Sequence, residues 1–322
     1  MTEPIRIELP TIYGMKTVNC YLFTKPEPVL VDCGEYTPKS WEALQTALSS
    51  HQLTLKDIKK VIITHAHVDH IGMAGKIARE SNAQILVNEY CYDWAVQPEV
   101  MRQHRIKLMK NLMVNDLPPD GQGAKMKKML ESFSEIMMQS WVPIPPERIN
   151  TFPVKGHLEI GPYKWKITYA PGHSITQTCF FQEDKGWFLS ADAILNITPT
   201  PVFDFKTDNP SIRENSLSVM IQTHKQLADL PIKKVFPGHY KPFENHDKII
   251  ALQLKRIQQR KEKTFELITN GKNRFFELFD ILYVNRLNMP GMSMLRGYLD
   301  LLIEENRIQE QIIQEYTAYI PT

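Results

Sequence analysis

The heptapeptide THAHVDH, residues 64–70, places three histidines and one aspartate within six positions. The apolar run VII, residues 61–63, comes directly before it and predicts a buried strand. Imidazole nitrogens and carboxylate oxygens bind divalent metals, and each ion takes three or four such protein ligands. One turn cannot supply two ions, so further ligands must come from elsewhere. A fold that contains this turn therefore has to bring several strand ends together.

Three more ligand-type side chains follow strand-like runs later in the chain. They are His173 in YAPGHS, Asp192 in FLSADA and His239 in VFPGHY. A Pro-Gly pair precedes each of these two histidines and lets the backbone bend close to a ligand. A single histidine after a strand is usually structural, but the four strand ends together favour a metal site.

The order of predicted elements indicates an α/β fold. Short β-rich runs occupy the first sixty residues, and helix-like GMAGKIARESN and strand-like AQILVNEY follow the histidine-rich turn. Strand patterns return from about residue 147, a helix is expected over Ile212 to Leu230, and KKVFPGH predicts a further strand. With 322 residues, 43 % of them hydrophobic, the chain can bury a substantial core. We predict a hydrolase domain over residues 1–243.

A helical insertion is predicted over about residues 93–146. VMRQHRIKLMKNLM and AKMKKMLESFSEIMMQSW have helical periodicity, and seven of the fourteen methionines lie between Met101 and Met138. Two interpretations stay open: the methionines fill space against the main body, or they form a cap whose flexible face accepts apolar substrate groups.

Residues 244–322 predict a second, smaller domain. Three helical patterns and a β-like tail, IQEQIIQEYTAYI, are typical of a winged-helix-like module. The expected recognition helix, SMLRGYLDLLIEENRI, carries acidic as well as basic residues, which is a poor match for phosphates. The basic run KRIQQRKEK is usually a solvated face, with guidance of single-stranded RNA as the alternative.

Neither the net charge nor the cysteine content indicates a particular binding partner or an extracellular location. The chain has 38 basic and 36 acidic side chains, so its net charge of +2 gives no argument for nucleic acid or an anionic membrane. Cys20, Cys33, Cys91 and Cys179 show no CxxC spacing and are expected to be reduced, mostly buried thiols. No signal-peptide pattern and no run of about 18 apolar residues is present. We expect a cytoplasmic protein without membrane contact.

THAHVDH, followed in order by a histidine, an aspartate and a histidine at strand ends, resembles the metallo-β-lactamase family. The resemblance implies an α/β fold, the four-layer αββα sandwich. It also implies seven metal ligands: His65, His67 and His173 on one ion, Asp69, His70 and His239 on the other, and Asp192 bridging both. Asp32 in VLVDCG matches the family's early strand-end aspartate, which orients ligating histidines; the alternative is a turn residue.

Three further features refine the resemblance. Asp192 stands where the classical antibiotic hydrolases place a cysteine, and Cys179 lies within a strand-like run, so lactamase activity is disfavoured. The insertion, the phrase ADAILNITPTP and the C-terminal helices resemble the branch with a C-terminal winged-helix-like domain. That branch is similar to lactamase-beta-like endoribonucleases and to glyoxalase II relatives. Ala191 and Ala193 depart from the Gly and the further His that relatives often carry there.

We therefore expect a binuclear metal-dependent hydrolase that uses a metal-bound hydroxide, with two divalent ions, Zn²⁺ first and Mn²⁺ or Fe as alternatives. Asp69 has a spare oxygen and is the predicted catalytic residue, since it can orient the hydroxide or receive its proton. The leading substrate is a thioester or other small acyl ester. The alternatives are a phosphodiesterase acting on single-stranded RNA and a nucleic-acid-binding regulator with a structural metal site. Tyr240 is a candidate oxyanion donor, with packing as its other interpretation.

Overall fold

The computed structural model describes residues 3–12, 15–113, 132, 135, 138–197, 199, 201, 203–283, 289–313 and 316–322. Most of the second predicted insertion helix, within residues 124–141, lies outside these ranges. The four cysteines are free and buried, as expected. Among the described helices, none is long and apolar enough to cross a bilayer.

The first sheet has six strands in the order in which they occur along the chain. They are β1 (Ile5–Pro10), β2 (Thr17–Phe23), β3 (Val29–Val31), β4 (Lys60–Ile62), β5 (Gln84–Asn88) and β6 (Ile149–Phe152). Strands β1 to β3 pair antiparallel, and β3 to β6 pair parallel. The parallel strands are short apolar runs such as VLV, which suits strands covered on both faces.

The second sheet has five strands, ordered β13-β10-β9-β8-β7. They are β7 (Lys155–Ile160), β8 (Tyr163–Tyr169), β9 (Thr178–Gln182), β10 (Trp187–Ala191) and β13 (Lys234–Pro237). Only the pair of β10 and β13 is parallel; the other three pairs are antiparallel. The two parallel strands therefore end at the same edge of this sheet.

The helices connect and cover the sheets. They are α1 (Pro38–Ser50), α2 (Val68–Ile71), α3 (Ala74–Glu80), α4 (Tyr92–Val96), α5 (Pro98–Met113), α6 (Ser216–Ala228), α7 (His246–Thr269), α8 (Phe275–Tyr283) and α9 (Met289–Glu304). The helix predicted over Ile212 to Leu230 is present, but it begins later than predicted, at Ser216. A small hairpin, β11 (Phe205–Lys206) and β12 (Asn209–Arg213), takes up that segment, and its backbone pairing ends three residues before the helix.

Apolar clusters define four layers. Side chains of both sheets, including Val31 and Ile62 from one and Phe180 and Leu189 from the other, form a core between them. The outer face of the first sheet packs against α1 and α3, and that of the second sheet packs against α6 and α7. This confirms the predicted αββα sandwich.

The C-terminal region has the predicted order of three helices and a hairpin, β14 (Ile308–Ile313) with β15 (Tyr316–Pro321). Its core of α8, α9 and Tyr319 also takes in Phe203 of the main body. Helix α9 is buried along most of its length, and Arg296 is ion-paired with Asp300 and Glu310. The expected recognition helix therefore does not present this arginine to a nucleic acid.

Candidate metal centre

The histidine-rich turn lies between β4 and α2. Strand β4 ends at Ile62, and α2 begins at Val68, so His65 and His67 belong to the connecting loop. Asp69 and His70 lie in the first turn of the short helix. Because β3 and β4 are parallel, Asp32 at the end of β3 lies beside this loop, and its backbone N–H donates to Ile62 O at 2.8 Å.

The second sheet brings the other three predicted residues to the same place. His173 follows β8, Asp192 follows β10 directly, and His239 comes two residues after β13. Polar contacts join the two sheets here: Asn19 N donates to Gly238 O at 2.6 Å, and Ala66 N donates to Thr176 Oγ1 at 2.9 Å. The metal-binding residues predicted from the sequence therefore meet at one edge of the sandwich.

All seven predicted residues form three overlapping groups, and within each group the ligand atoms lie within 4.8 Å of one another. The groups are His65, His67 and His173; His65, His70 and Asp192; and Asp69, His70 and His239. His65, His70, Asp192 and His239 are buried, whereas His67, Asp69 and His173 are partly exposed. The cluster is therefore open on one side, the side that carries His67, Asp69 and His173.

Asp192 lies between the two outer groups. Its Oδ2 is 3.4 Å from His173 Nε2 and 3.3 Å from His239 Nε2, and its Oδ1 is 3.6 Å from His70 Nε2. His67 Nδ1 is 2.9 Å from His173 Nε2, and Asp69 Oδ2 is 3.4 Å from His239 Nε2. One carboxylate thus reaches both sets of imidazoles.

Several buried polar atoms of the cluster have no hydrogen-bond partner among the described residues. They are the Nε2 atoms of His65, His67 and His70 and Oδ1 of Asp192. Unpaired buried donors and acceptors are costly and call for an explanation. Nitrogen and oxygen atoms converging at this spacing match the donor set that divalent cations accept, so the residues present fit a metal ion.

Outer contacts fix the orientation of the imidazoles. Asp32 Oδ2 is 2.8 Å from His70 Nδ1, and the same carboxylate accepts hydrogen bonds from Thr64 N and Thr64 Oγ1 at 2.9 and 2.8 Å. His65 Nδ1 is 3.0 Å from Thr64 Oγ1, and His239 Nδ1 is 2.6 Å from Thr17 O. Each of these three rings keeps Nε2 directed at the cluster. Thr64 and Thr17 carry no ligand chemistry of their own, so nothing in the local sequence signalled this role.

Backbone conformation also shapes the centre. Asp32 has φ +59° and Ala191 has φ +41°, both in the left-handed region. At Gly238 an added Cβ would lie 2.2 Å from Asp192 Oδ1 and 2.7 Å from His70 Cε1. The glycine before His239 is therefore required because a larger residue would collide with the side chains of Asp192 and His70. This requirement is stronger than the backbone bend that the sequence suggested.

Burial and charge divide the imidazoles into two kinds. Burial holds the pKa of His65 and that of His67 well below the usual value, and neighbouring histidines add to the effect. Burial opposes protonation at His70 and His239 too, but the surrounding carboxylates outweigh it and raise these pKa values to about 10 and about 11. Burial would raise the pKa of Asp69, yet His70 and His239 bring it down to about 2. A cation that binds here displaces protons.

Two other sequence candidates lie outside the cluster. Cys179 Sγ donates to Ser190 O at 3.2 Å within the second sheet, and burial raises the pKa of its thiol. Tyr240 is 38 % exposed, and its hydroxyl donates to Met15 Sδ at 3.4 Å rather than to a residue of the cluster.

Comparisons with known proteins identify the family of the chain. Residues 13–239 match the family described as "Metallo-beta-lactamase superfamily", a range that holds all seven predicted metal-binding positions. The "Probable metallo-hydrolase YqjP" of Bacillus subtilis (strain 168) is 23 % identical over 311 residues, covering 95 % of this chain and 94 % of its own.

Solved structures show the same fold over the whole chain. A metallo-beta-lactamase family protein of Thermus thermophilus has a TM-score of 0.80 and 22 % identity, covering 99 % of this chain and 98 % of its own. A beta-lactamase domain protein of Burkholderia ambifaria has a TM-score of 0.78 and 17 % identity, covering 98 % and 92 %. The chain therefore belongs to the metallo-beta-lactamase superfamily, as a metal-dependent hydrolase.

Proposed function

We propose that the seven clustered residues bind two divalent ions. His65, His67 and His173 would hold one ion, Asp69, His70 and His239 would hold the other, and Asp192 would contribute to both. The observation that carries the proposal is the position of Asp192, whose Oδ2 is within 3.4 Å of Nε2 of both His173 and His239. Zn²⁺ is the first choice of metal, with Mn²⁺ or Fe as alternatives, because all three accept imidazole and carboxylate ligands.

The proposed reaction is hydrolysis of a thioester or other small acyl ester. Two bound ions would act as Lewis acids on the scissile carbonyl and lower the pKa of water towards ~7. The water oxygen bonds to the acyl carbon, the bond from that carbon to sulfur or oxygen breaks, and the leaving thiol or alcohol takes a proton. No serine or cysteine nucleophile is required.

Asp69 is the proposed catalytic residue. Its side chain is 14 % exposed on the open side of the cluster, and its pKa of about 2 keeps the carboxylate ionised at neutral pH. An ionised carboxylate can accept a hydrogen bond from the attacking water and then receive its proton. Asp192 is less suited to this role because both of its oxygens face imidazoles.

Hydrolysis of single-stranded RNA is the second candidate, and one observation favours it. Arg256, Arg260 and Lys263 line a groove of about 610 Å³ together with the partly exposed Tyr283. Positive charge beside an aromatic ring suits the backbone and bases of a single strand. The regulator hypothesis has less support, because α9 is buried and Arg296 is ion-paired.

One parallel assay tests the ranking. The metal-loaded protein is offered an acylglutathione, an acyl-CoA, a lactone, bis(p-nitrophenyl) phosphate and a short RNA. We expect hydrolysis of at least one acyl substrate, and loss of that activity in His67→Ala and Asp192→Ala. His51→Ala changes an exposed histidine at the end of α1 and serves as the matched control. Activity on the RNA alone would reverse the ranking, and full activity in both variants would rule out the binuclear mechanism.

A further inference from the structure

Arg105 of α5 belongs to the predicted insertion and lies close to the loop that carries His173. Its guanidinium carbon is 4.2 Å from the centre of the Trp94 ring, and its Nη2 donates to both carboxylate oxygens of Asp204 at 3.1 Å. Asp204 is buried and accepts the backbone N–H of Ile175 at 3.3 Å. Ile175 is two residues after His173, so one carboxylate connects Arg105 to the edge of the metal centre.

The geometry of this ion pair leaves donors unused. Arg213 and Asp300 elsewhere in the molecule form a fork, with Nη1 and Nη2 each on a different oxygen at 2.6 and 2.7 Å. In the Arg105 pair, Nη2 alone contacts both oxygens. Within the described ranges, Nη1 of Arg105 makes no hydrogen bond, and Nε is buried without a partner. A guanidinium has five N–H donors, and because Nε is buried, the two on Nη1 remain for another acceptor.

The guanidinium of Arg105 is partly open to solvent, because its side chain is 14 % exposed. His173 is on the open side of the cluster, and Asp204 connects the guanidinium to the loop that carries this histidine. A substrate bound at the open side of the cluster would therefore lie near a partly open guanidinium.

We propose that Arg105 is a specificity-determining residue that binds an oxyanion of the substrate through its free Nη1 edge. Asp204 and Trp94 hold the guanidinium in place. This inference rests on the proposed hydrolysis of an acyl substrate and deepens it: the preferred thioester or ester carries a carboxylate or a phosphate near the scissile bond. Either anion offers the planar or forked oxygens that an arginine contacts well.

Three matched thioesters locate the anion. S-acetyl-N-acetylcysteamine is neutral, S-succinyl-N-acetylcysteamine has a carboxylate on the acyl side, and S-acetyl-2-mercaptoethyl phosphate has a phosphate on the thiol side. Thiol release gives KM and kcat for the wild type, Arg105→Gln and Arg105→Lys. We expect Arg105→Gln to raise KM for one of the anionic thioesters by about 10- to 100-fold, the usual effect of losing a hydrogen bond to a charged group. Arg105→Lys should recover part of this loss.

Controls separate this effect from a folding defect. Arg102→Gln removes another arginine of α5, whose ion pair is with Glu99, and should leave all three KM values unchanged. Arg105→Gln combined with Asp204→Asn removes both charges of the pair, so no buried carboxylate is left unpaired, and it should show the same selective loss. A KM that rises equally for all three thioesters, or for none, would overturn the inference.

A binding measurement keeps the inference testable without turnover. Calorimetric titration of the metal-loaded protein with succinate and with inorganic phosphate should give at least tenfold weaker binding of one anion to Arg105→Gln than to the wild type. If Arg105→Gln bound each of the two anions as tightly as the wild type does, the proposed role of Arg105 would be excluded. If the wild type hydrolyses no acyl substrate but the titrations differ, the proposed substrate class fails while the anion site stands.

Discussion

Asp32 shows how one side chain can organise a centre that it does not join. Its carboxylate contacts His70 Nδ1 and also accepts both hydrogen bonds that Thr64 offers, while Thr64 in turn contacts His65. The imidazoles of His65 and His70 are therefore both oriented by a single residue at the end of β3, directly for His70 and through Thr64 for His65. The resemblance to the metallo-β-lactamase family predicted this role for Asp32, whereas the contacts of Thr64 are seen only in the folded chain.

Asp32→Asn is expected to weaken metal binding by about 10- to 100-fold, the usual cost of removing such an outer contact. Asparagine tolerates the positive φ and can still accept from Thr64 N, but its amide no longer offers a carboxylate to His70. Metal affinity is measured by competition with a chelator of known affinity. Asp208→Asn, an exposed aspartate in the turn after β11, is the control. Equal affinities in the two variants would show that Asp32 has only a turn role.

Gly238→Ala tests the space around Asp192. The new methyl group would lie 2.2 Å from Asp192 Oδ1, so the carboxylate has to rotate away from the place where we propose that it bridges two ions. We expect metal content to fall while the melting temperature of the chelated protein changes little. For Gly271→Ala we expect the opposite result. An added methyl group would meet no neighbouring atom there, but the φ of +85° is unfavourable for alanine. This variant should lose about 1 to 2 kcal/mol of stability and keep its metal. Unchanged metal content in Gly238→Ala would contradict the position of Asp192.

At the scale of the elements, the predictable part of the site is the part that lies on strand ends. Apolar runs marked the strands, and His173, Asp192 and His239 each follow such a run. Residues that act through distant contacts gave no local signal. Arg105 meets Asp204 across 99 positions. The segment 209–213 is a different case, because it became a strand by pairing with the neighbouring β11 in a short hairpin. Pairing with a partner strand can override the propensity of a segment.

The ion-paired contact between β12 and α9 gives a prediction at the same scale. Asp300 accepts from Arg213 and Arg296, and all three side chains are largely buried. Asp300→Ala should lower the free energy of unfolding by about 3 to 5 kcal/mol, because it leaves buried guanidinium groups without their shared carboxylate. Chemical denaturation measures this change in the free energy of unfolding. Glu183→Ala, which removes an exposed pair with Lys166, should cost only about 0 to 1 kcal/mol. Similar values for the two variants would contradict a structural role for the buried pair.

At the scale of the whole molecule, two sheets and a C-terminal region converge on one edge. The core between the sheets fixes the distance across which the strand ends face each other. The C-terminal helices share an apolar cluster with α6, in which Met220 packs within contact distance of Gly172, next to His173. The C-terminal helices therefore pack against α6, and α6 in turn packs against the loop that carries His173.

Removal of metal should affect the whole molecule, because bound ions stabilise only the folded state. At free metal 100-fold above Kd the stabilisation is about 2.7 kcal/mol per site. We expect dialysis against a chelator to lower the melting temperature and abolish hydrolysis, and added Zn²⁺ or Mn²⁺ to restore both. Scanning calorimetry and the acyl assay measure the two effects. An unchanged melting temperature together with retained hydrolysis would show that metal has no part in the reaction.

We propose that one aspartate, Asp192, joins two metal sites. Anomalous diffraction from crystals of the metal-loaded protein tests it most directly. We expect two anomalous peaks about 3.5 to 4 Å apart, one beside His65, His67 and His173 and the other beside Asp69, His70 and His239, with Asp192 in contact with both. A single peak in crystals with saturating metal, or two peaks of which only one contacts Asp192, would contradict it.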